Sequence, residues 1–157
     1  ISEVLDIGTG SGILALMIAQ RFPAARVHAV ELEPDAALQA SENVERSPFR
    51  DRITVHHRAF QGWEGSVDLA VCNPPFFHGH PKSRDRKRNL ARHDDTLPLS
   101  VLFTSVKACL SENGEFAMVF PEDRAGELMS VAQSSGFHLW SKVTLQATEA
   151  HDVIELI

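Results

Sequence analysis

Short apolar runs alternate with amphipathic stretches along most of this chain. Glu3 to Ile7 is a brief apolar run, and the spacing predicts a buried strand. Ile13 to Phe22 has helical spacing and stops before Pro23. Arg26 to Glu31 predicts a second strand, and Pro34-Asp35 opens a helix to about Arg46, with proline in its first turn. Arg52 to His57 predicts a third strand. Val67 to Cys72, nearly all apolar, predicts a fourth, placed in the middle of a parallel sheet. A long polar segment, His78 to about Thr96, interrupts the alternation. Leu97 to Leu110 then reads as a helix ended by Asn113-Gly114, and Glu115 to Phe120 as a fifth strand. Glu122 to Ser135 reads as a helix with Gly136 at its C-terminal cap. Phe137 to Leu145 and His151 to Ile157 read as two last strands with no helix between them, which predicts an antiparallel edge.

This order predicts an α/β fold: one domain over residues 1–157, with a doubly wound, mostly parallel sheet of seven strands. Such sheets bind ligands at the carboxyl ends of their strands, where strand order reverses. The fourth strand is expected beside the first, so segments after both should share one crevice.

Two sequences fall there. After the first strand comes Asp6-Ile7-Gly8-Thr9-Gly10-Ser11-Gly12. Glycines 8, 10 and 12 allow a sharp turn and close approach to a ligand, and the next helix adds free N–H groups. The dinucleotide fingerprint requires glycine where this chain has Ile13. Asp6 can face an ammonium group. Glu31, ending the second strand, can accept from ribose hydroxyls, and Leu32 can pack on an adenine face. An NAD-dependent oxidoreductase also uses an acid at that strand end, so it stays open.

After the fourth strand comes Asn73-Pro74-Pro75-Phe76. It offers hydrogen-bond acceptors and a stacking ring but no obvious nucleophile. An exocyclic amine is a poor nucleophile because its lone pair is delocalised into the ring. Acceptors aimed at its hydrogens, here the Asn73 side-chain oxygen and the Pro74 carbonyl, favour pyramidal nitrogen. The prolines fix the turn and Phe76 can stack on the base. Paired with the glycine turn, the motif predicts methyl transfer from S-adenosylmethionine to a nitrogen, with S-adenosylhomocysteine as product. A glutamine amide fits Asn-Pro-Pro-Phe as well as a base amine does.

Charge changes the picture further. The net charge is −6, yet residues 82–92 hold Lys82, Arg84, Arg86, Lys87, Arg88 and Arg92 against the single acid Asp85. A +5 segment on a body of −11 predicts an anionic partner met locally, such as RNA phosphates. The histidines 78, 80 and 93 lack a recognised ligand spacing, so no metal is expected. With no long apolar run, a membrane span is not expected. Two cysteines, Cys72 and Cys109, predict free thiols in a reducing cytoplasm. A monomer is expected. The chain opens on a strand at Ile1 rather than on methionine, which suggests part of a longer protein.

With these residues identified, the chain resembles the class I S-adenosylmethionine-dependent methyltransferases, Rossmann-like in fold. More narrowly it resembles the bacterial tRNA(Val) adenine-N6 methyltransferases. The resemblance covers nearly the whole chain: Leu5 to Gly12, Leu14 to Arg21, Ala29 to Glu33, Glu42-Asn43, Ser47-Pro48-Phe49, Arg52 to His56, Asn73 to Phe77, and Ala91-Arg92-His93 followed by Thr96-Leu97. It implies that Asp6, Gly8, Gly10, Gly12 and Glu31 match cofactor positions, that Asn73 to Phe76 match the catalytic motif, and that the basic segment meets tRNA beside the anticodon. Two departures stand out. Ala59 occupies the place of an acid that holds the cofactor's adenine amine, and a covering segment before the first strand is missing, so weaker cofactor binding is expected. Alternatives are a protein glutamine N5-methyltransferase of the release-factor type, a methyltransferase of another RNA base amine, and a non-catalytic RNA-binding module.

Overall fold

The computed structural model describes residues 1–74, 97–148 and 151–156. The chain divides into two compact units, Ile1–Asn73 with Ala108–Met118, and Pro74–Lys107 with Val119–Ile157.

The first unit holds β1 (Glu3–Ile7), α1 (Ile13–Arg21), β2 (Arg26–Glu31), α2 (Pro34–Glu45), β3 (Ile53–His57), β4 (Val67–Cys72) and the first part of β5 (Leu110–Pro121). All pairings here are parallel, in the order β3-β2-β1-β4-β5. Val4, Val27, Ala29, Ile53, Leu69 and Val71 alternate along four strands and bury against Ala15, Ile18 and Ala19 of α1 and Val44 of α2. The small residues of α1 let it lie close to the sheet. On β1, β2 and β3, Glu3, His28 and His56 form another cluster. Glu3 Oε2 and His28 Nε2 are 3.1 Å apart, His28 Nδ1 and His56 Nε2 are 3.2 Å apart, and Trp63 from the β3–β4 connection packs on both rings. Asp68 ties the start of β4 to that of β1. It accepts from the Ser2 and Glu3 N–H groups at 2.7 and 3.2 Å, which holds its carboxyl down at about 2.

Local chemistry sets the helix ends. Glu33 caps α2 by accepting from the Ala36 N–H at 2.7 Å, and Pro34 opens its first turn. The end of α1, just before Pro23, is closed from a distance. The Arg52 guanidinium donates to the carbonyls of Ala19, Phe22 and Ala25 at 2.6, 3.1 and 3.0 Å, and it lies 5.4 Å over the Phe49 ring. Orphan carbonyls at a helix C-terminus need donors, and a cation suits them best.

The second unit contains most of α3 (Leu99–Cys109), the last residues of β5, α4 (Ala125–Ser134), β6 (Val143–Thr148) and β7 (His151–Leu156). The end of β5 pairs antiparallel with β7, and β7 antiparallel with β6. The expected antiparallel edge is present. Gly136 ends α4 as expected, with φ +78° and the N–H groups of Gly136 and Phe137 donating back to Gln133 and Ala132.

Two expectations are corrected. Helix α3 already ends at Cys109, because Leu110 enters the ladder opposite Val67. The register then shifts, and regular pairing resumes at Glu115 opposite Leu69, so Asn113-Gly114 lies in a bulge of β5. Residues 137–142 do not extend β6. Phe137 instead packs edge-on against Phe103 at 5.2 Å beneath the Lys107 ammonium, and Trp140 is 92% exposed. Among the described residues, no helix is long and apolar enough to cross a membrane.

Removing the Arg52 guanidinium takes its donors from the Ala19, Phe22 and Ala25 carbonyls, of which Phe22 keeps the Ala25 N–H. Arg52→Met is expected to cost about 3 kcal/mol, since hydrogen bonds to a charged donor contribute more than neutral ones. Urea unfolding checks this, and a midpoint equal to that of the parent chain contradicts it.

Candidate functional site

The parallel register brings two chain segments to one level. Ile7 pairs with Cys72, so the glycine turn and Asn73 leave neighbouring strands side by side. Adjacent strands lie about 4.8 Å apart. This is also where strand order reverses, the place expected for a ligand.

The glycine turn is built from left-handed backbone. Gly8, Gly10 and Gly12 have φ of +69°, +58° and +84°. Space is open around Gly8 and Gly10, where an added Cβ meets nothing within 4 Å. Gly12 is doubly constrained, because a Cβ there would lie 3.3 Å from the Cα and Cβ of Ala40 on α2. The Gly8 and Thr9 N–H groups both donate to the Val30 carbonyl, at 2.9 and 3.0 Å, which joins the turn to β2.

Two buried carboxylates lie beneath this turn. Glu31 accepts from the Gly10 N–H on Oε2 at 2.8 Å, and from the Leu32 and Glu33 N–H groups on Oε1 at 2.8 and 2.9 Å. A carboxylate has about four acceptor positions, so about one remains. Leu32, beside it, is 55% exposed. Asp6 is 1% exposed and accepts from the Thr9 hydroxyl at 2.5 Å and from the Ala15 N–H. Burial pushes its carboxyl up to about 6, against the Thr9 and Ala15 hydrogen bonds and with the Glu31 charge adding to the rise. Cys72 is buried next to Asp6, and burial first, then that charge, push its thiol far above its ordinary range. It is not a nucleophile at neutral pH.

The structure thus gathers Asp6, Gly8, Gly10, Gly12, Glu31, Leu32 and Asn73 in the first unit, with Asn73 exposed at its end. Pro74 follows it, in the second unit. Pro75, Phe76 and the basic residues Lys82, Arg84, Arg86, Lys87, Arg88 and Arg92 lie outside the described residues. At Ala59 no carboxylate is present. There the Arg58 guanidinium donates to the Ala59 and Gly62 carbonyls at 3.2 and 3.0 Å, closing the segment on itself. Thr9 escaped the sequence reading. The signal available was its hydroxyl three residues after Asp6, the spacing that lets one turn carry donor and acceptor.

Comparison with known proteins decides the family. The methyltransferase small domain model matches residues 1–129. The chain belongs to this methyltransferase family. A protein of Dyadobacter fermentans named tRNA1(Val) (adenine(37)-N6)-methyltransferase is 40% identical over 157 residues, covering 99% of this chain and 65% of its own length. One of the same name from Citrobacter koseri is 38% identical over 155 residues, covering 96% of this chain and 63% of its own length. The methyltransferase chain therefore spans less than two thirds of these relatives. The crystal structure of TrmN from Thermus thermophilus superposes with a TM-score of 0.73 at 23% identity, over 99% of this chain and 43% of that one, which bears out the Rossmann-like fold.

The raised carboxyl of Asp6 has a measurable consequence. Folded protein holds the proton up to about pH 6, whereas the ordinary value is 3.8. The folded state therefore binds more protons between these values, and its stability falls as pH rises through them. At about 1.4 kcal/mol per unit, this group costs ~3 kcal/mol above pH 7. Asp6→Asn is expected to flatten that part of the stability profile between pH 4 and 7. Urea melts across this range check it, and an unchanged slope contradicts it.

Proposed function

We propose that this chain forms the S-adenosylmethionine-binding and catalytic part of an enzyme that methylates N6 of an adenine in tRNA, beside the anticodon of tRNA(Val). One observation carries the reading: the open glycine turn with its two buried acids sits level with Asn73, on adjacent strands of a methyltransferase-family fold. The relatives' shared name supports tRNA adenine as the substrate.

The residues fit that cofactor. Asp6 and Glu31 give negative charge to an ammonium group and an acceptor to a ribose, and the exposed Leu32 side chain gives an apolar face to adenine. The backbone around Gly8 and Gly10 has room for a ligand. When bound, S-adenosylmethionine supplies a methyl already activated on sulfonium, and S-adenosylhomocysteine is what remains. Asn73 accepts a hydrogen bond from one N–H of the target amine through its side-chain oxygen, and the Pro74 carbonyl accepts one from the other N–H. This localises the lone pair on nitrogen, and a proton leaves once the N–C bond has formed. Catalysis is positioning plus electrostatics, so no strong general base is needed. Phe76 stacks on the base drawn out of its neighbours' stack, with Pro75 holding the turn. Lys82, Arg84, Arg86, Lys87, Arg88 and Arg92 meet tRNA phosphates. That enzyme works on tRNA in the cytoplasm, with this chain as its catalytic domain.

Asn73→Ala separates catalysis from binding. Turnover with labelled S-adenosylmethionine and tRNA is expected to fall about 100-fold, the scale for losing one preorganised hydrogen-bonding group. Calorimetric affinity for tRNA is expected to stay within a few-fold. Undiminished turnover would contradict the assignment. Tighter calorimetric binding of NAD than of S-adenosylmethionine would overturn the cofactor.

A further inference from the structure

Helix α2 touches the glycine turn at two places. The Asn43 Nδ2–H donates to the Ser11 carbonyl at 2.9 Å, across 32 residues of chain. One turn earlier on α2, Ala40 is fully buried, and its Cα and Cβ lie 3.3 Å from where a Cβ of Gly12 would be. Residues three apart share a helix face, so both contacts come from one side of α2.

These contacts act on a particular peptide plane. Ser11 precedes Gly12, the N-cap of α1, so its carbonyl lies outside the helix ladder, which begins with the Leu16 N–H donating to the Gly12 carbonyl at 3.0 Å. The other end of the Ser11–Gly12 peptide is also held, because the Gly12 N–H donates to the Thr9 carbonyl at 3.0 Å. Asn43 therefore fixes the carbonyl end and Thr9 the N–H end, while Ala40 limits how far the plane can move towards α2. Glycine on both sides of Ser11 leaves the unassisted backbone free to rotate. A preorganised turn binds its ligand with less loss of conformational freedom.

We infer that Asn43 and Ala40 are positioning residues for the cofactor, holding the glycine turn in its binding geometry from behind. The inference rests on the cofactor reading above. The donor is what matters. Aspartate in place of Asn43 is isosteric but sets a charged acceptor against the Ser11 carbonyl. Glutamine keeps the donor on a longer arm.

Four chains are compared: the parent, Asn43→Asp, Asn43→Gln and Ala40→Val. Thermal melts first establish that each variant is folded at the assay temperature. Asn43→Asp is expected to speed hydrogen exchange at the Gly12 amide and to raise the Kd and KM for S-adenosylmethionine about 10-fold, the scale of one lost hydrogen bond with an acceptor left facing an acceptor. Its kcat and its tRNA affinity should stay within twofold, and Asn43→Gln should recover part of the cofactor affinity. A lowered melting temperature with unchanged Kd and KM would make Asn43 merely structural and overturn the inference. Should Ala40→Val, which crowds Gly12, also leave the Kd unchanged, the role of α2 is overturned with it. Failure of the parent chain to bind S-adenosylmethionine, with exchange at Gly12 still faster in Asn43→Asp, would instead sink the cofactor reading and with it the use assigned to the clamp.

Discussion

Two carboxylates are buried together at the carboxyl ends of β1 and β2, and the surrounding architecture answers them. Buried charge is costly unless hydrogen-bonded. Glu31 meets the requirement with three backbone N–H groups, one of them from Gly10. Asp6 meets it with the Thr9 hydroxyl and the Ala15 N–H, the latter from the first turn of α1. These bonds join the ends of two strands, the turn between them and the start of a helix. The left-handed glycines are what let the N–H of Gly10 reach the end of the next strand. Even so, Asp6 is incompletely compensated, as its raised carboxyl shows. A group that weakens the fold at neutral pH sits where a positively charged cofactor would restore its charge balance. Perturbed carboxyls of this kind cluster at functional sites.

Much of the fold was legible in period and punctuation. The apolar face of β1 to β4 and the helical spacing at Ile13 and Pro34 each pointed to the element found, because burial there is set by alternation in the chain itself. The misreadings came where partners distant in sequence decide. Leu110 is a strand residue because Val67 pairs with it, and Phe137 leaves the path of β6 for the ring of Phe103. No local pattern encodes either contact. The Ser47-Pro48-Phe49 segment, quoted above only for its resemblance, has a structural explanation: Phe49 packs on the core and under Arg52, which closes α1.

The site was legible in outline and hidden in detail. Glycines, a strand-end acid and Asn-Pro-Pro-Phe are dense, local signals, and the register of β1 and β4 joins them. The supports were less visible. Thr9 carried no assigned role within the glycine motif, and Asn43 and Ala40 act on a turn some thirty residues away, so their roles depend on how α2 lies in space. The family match makes the chemistry methyl transfer, while Asn73 alone leaves the acceptor divided between an adenine amine and a glutamine amide, and the adenine belongs to the proposed reading.

That division is also where the account is most directly tested. The enzyme would be incubated with tRNA from a strain lacking the modification and with S-adenosylmethionine carrying a deuterated methyl, and the tRNA nucleosides analysed by mass spectrometry, with a release-factor peptide treated in parallel. The account predicts deuterated N6-methyladenosine in the tRNA and no label in the peptide. Label on a peptide glutamine, or tRNA with no labelled N6-methyladenosine, would contradict it.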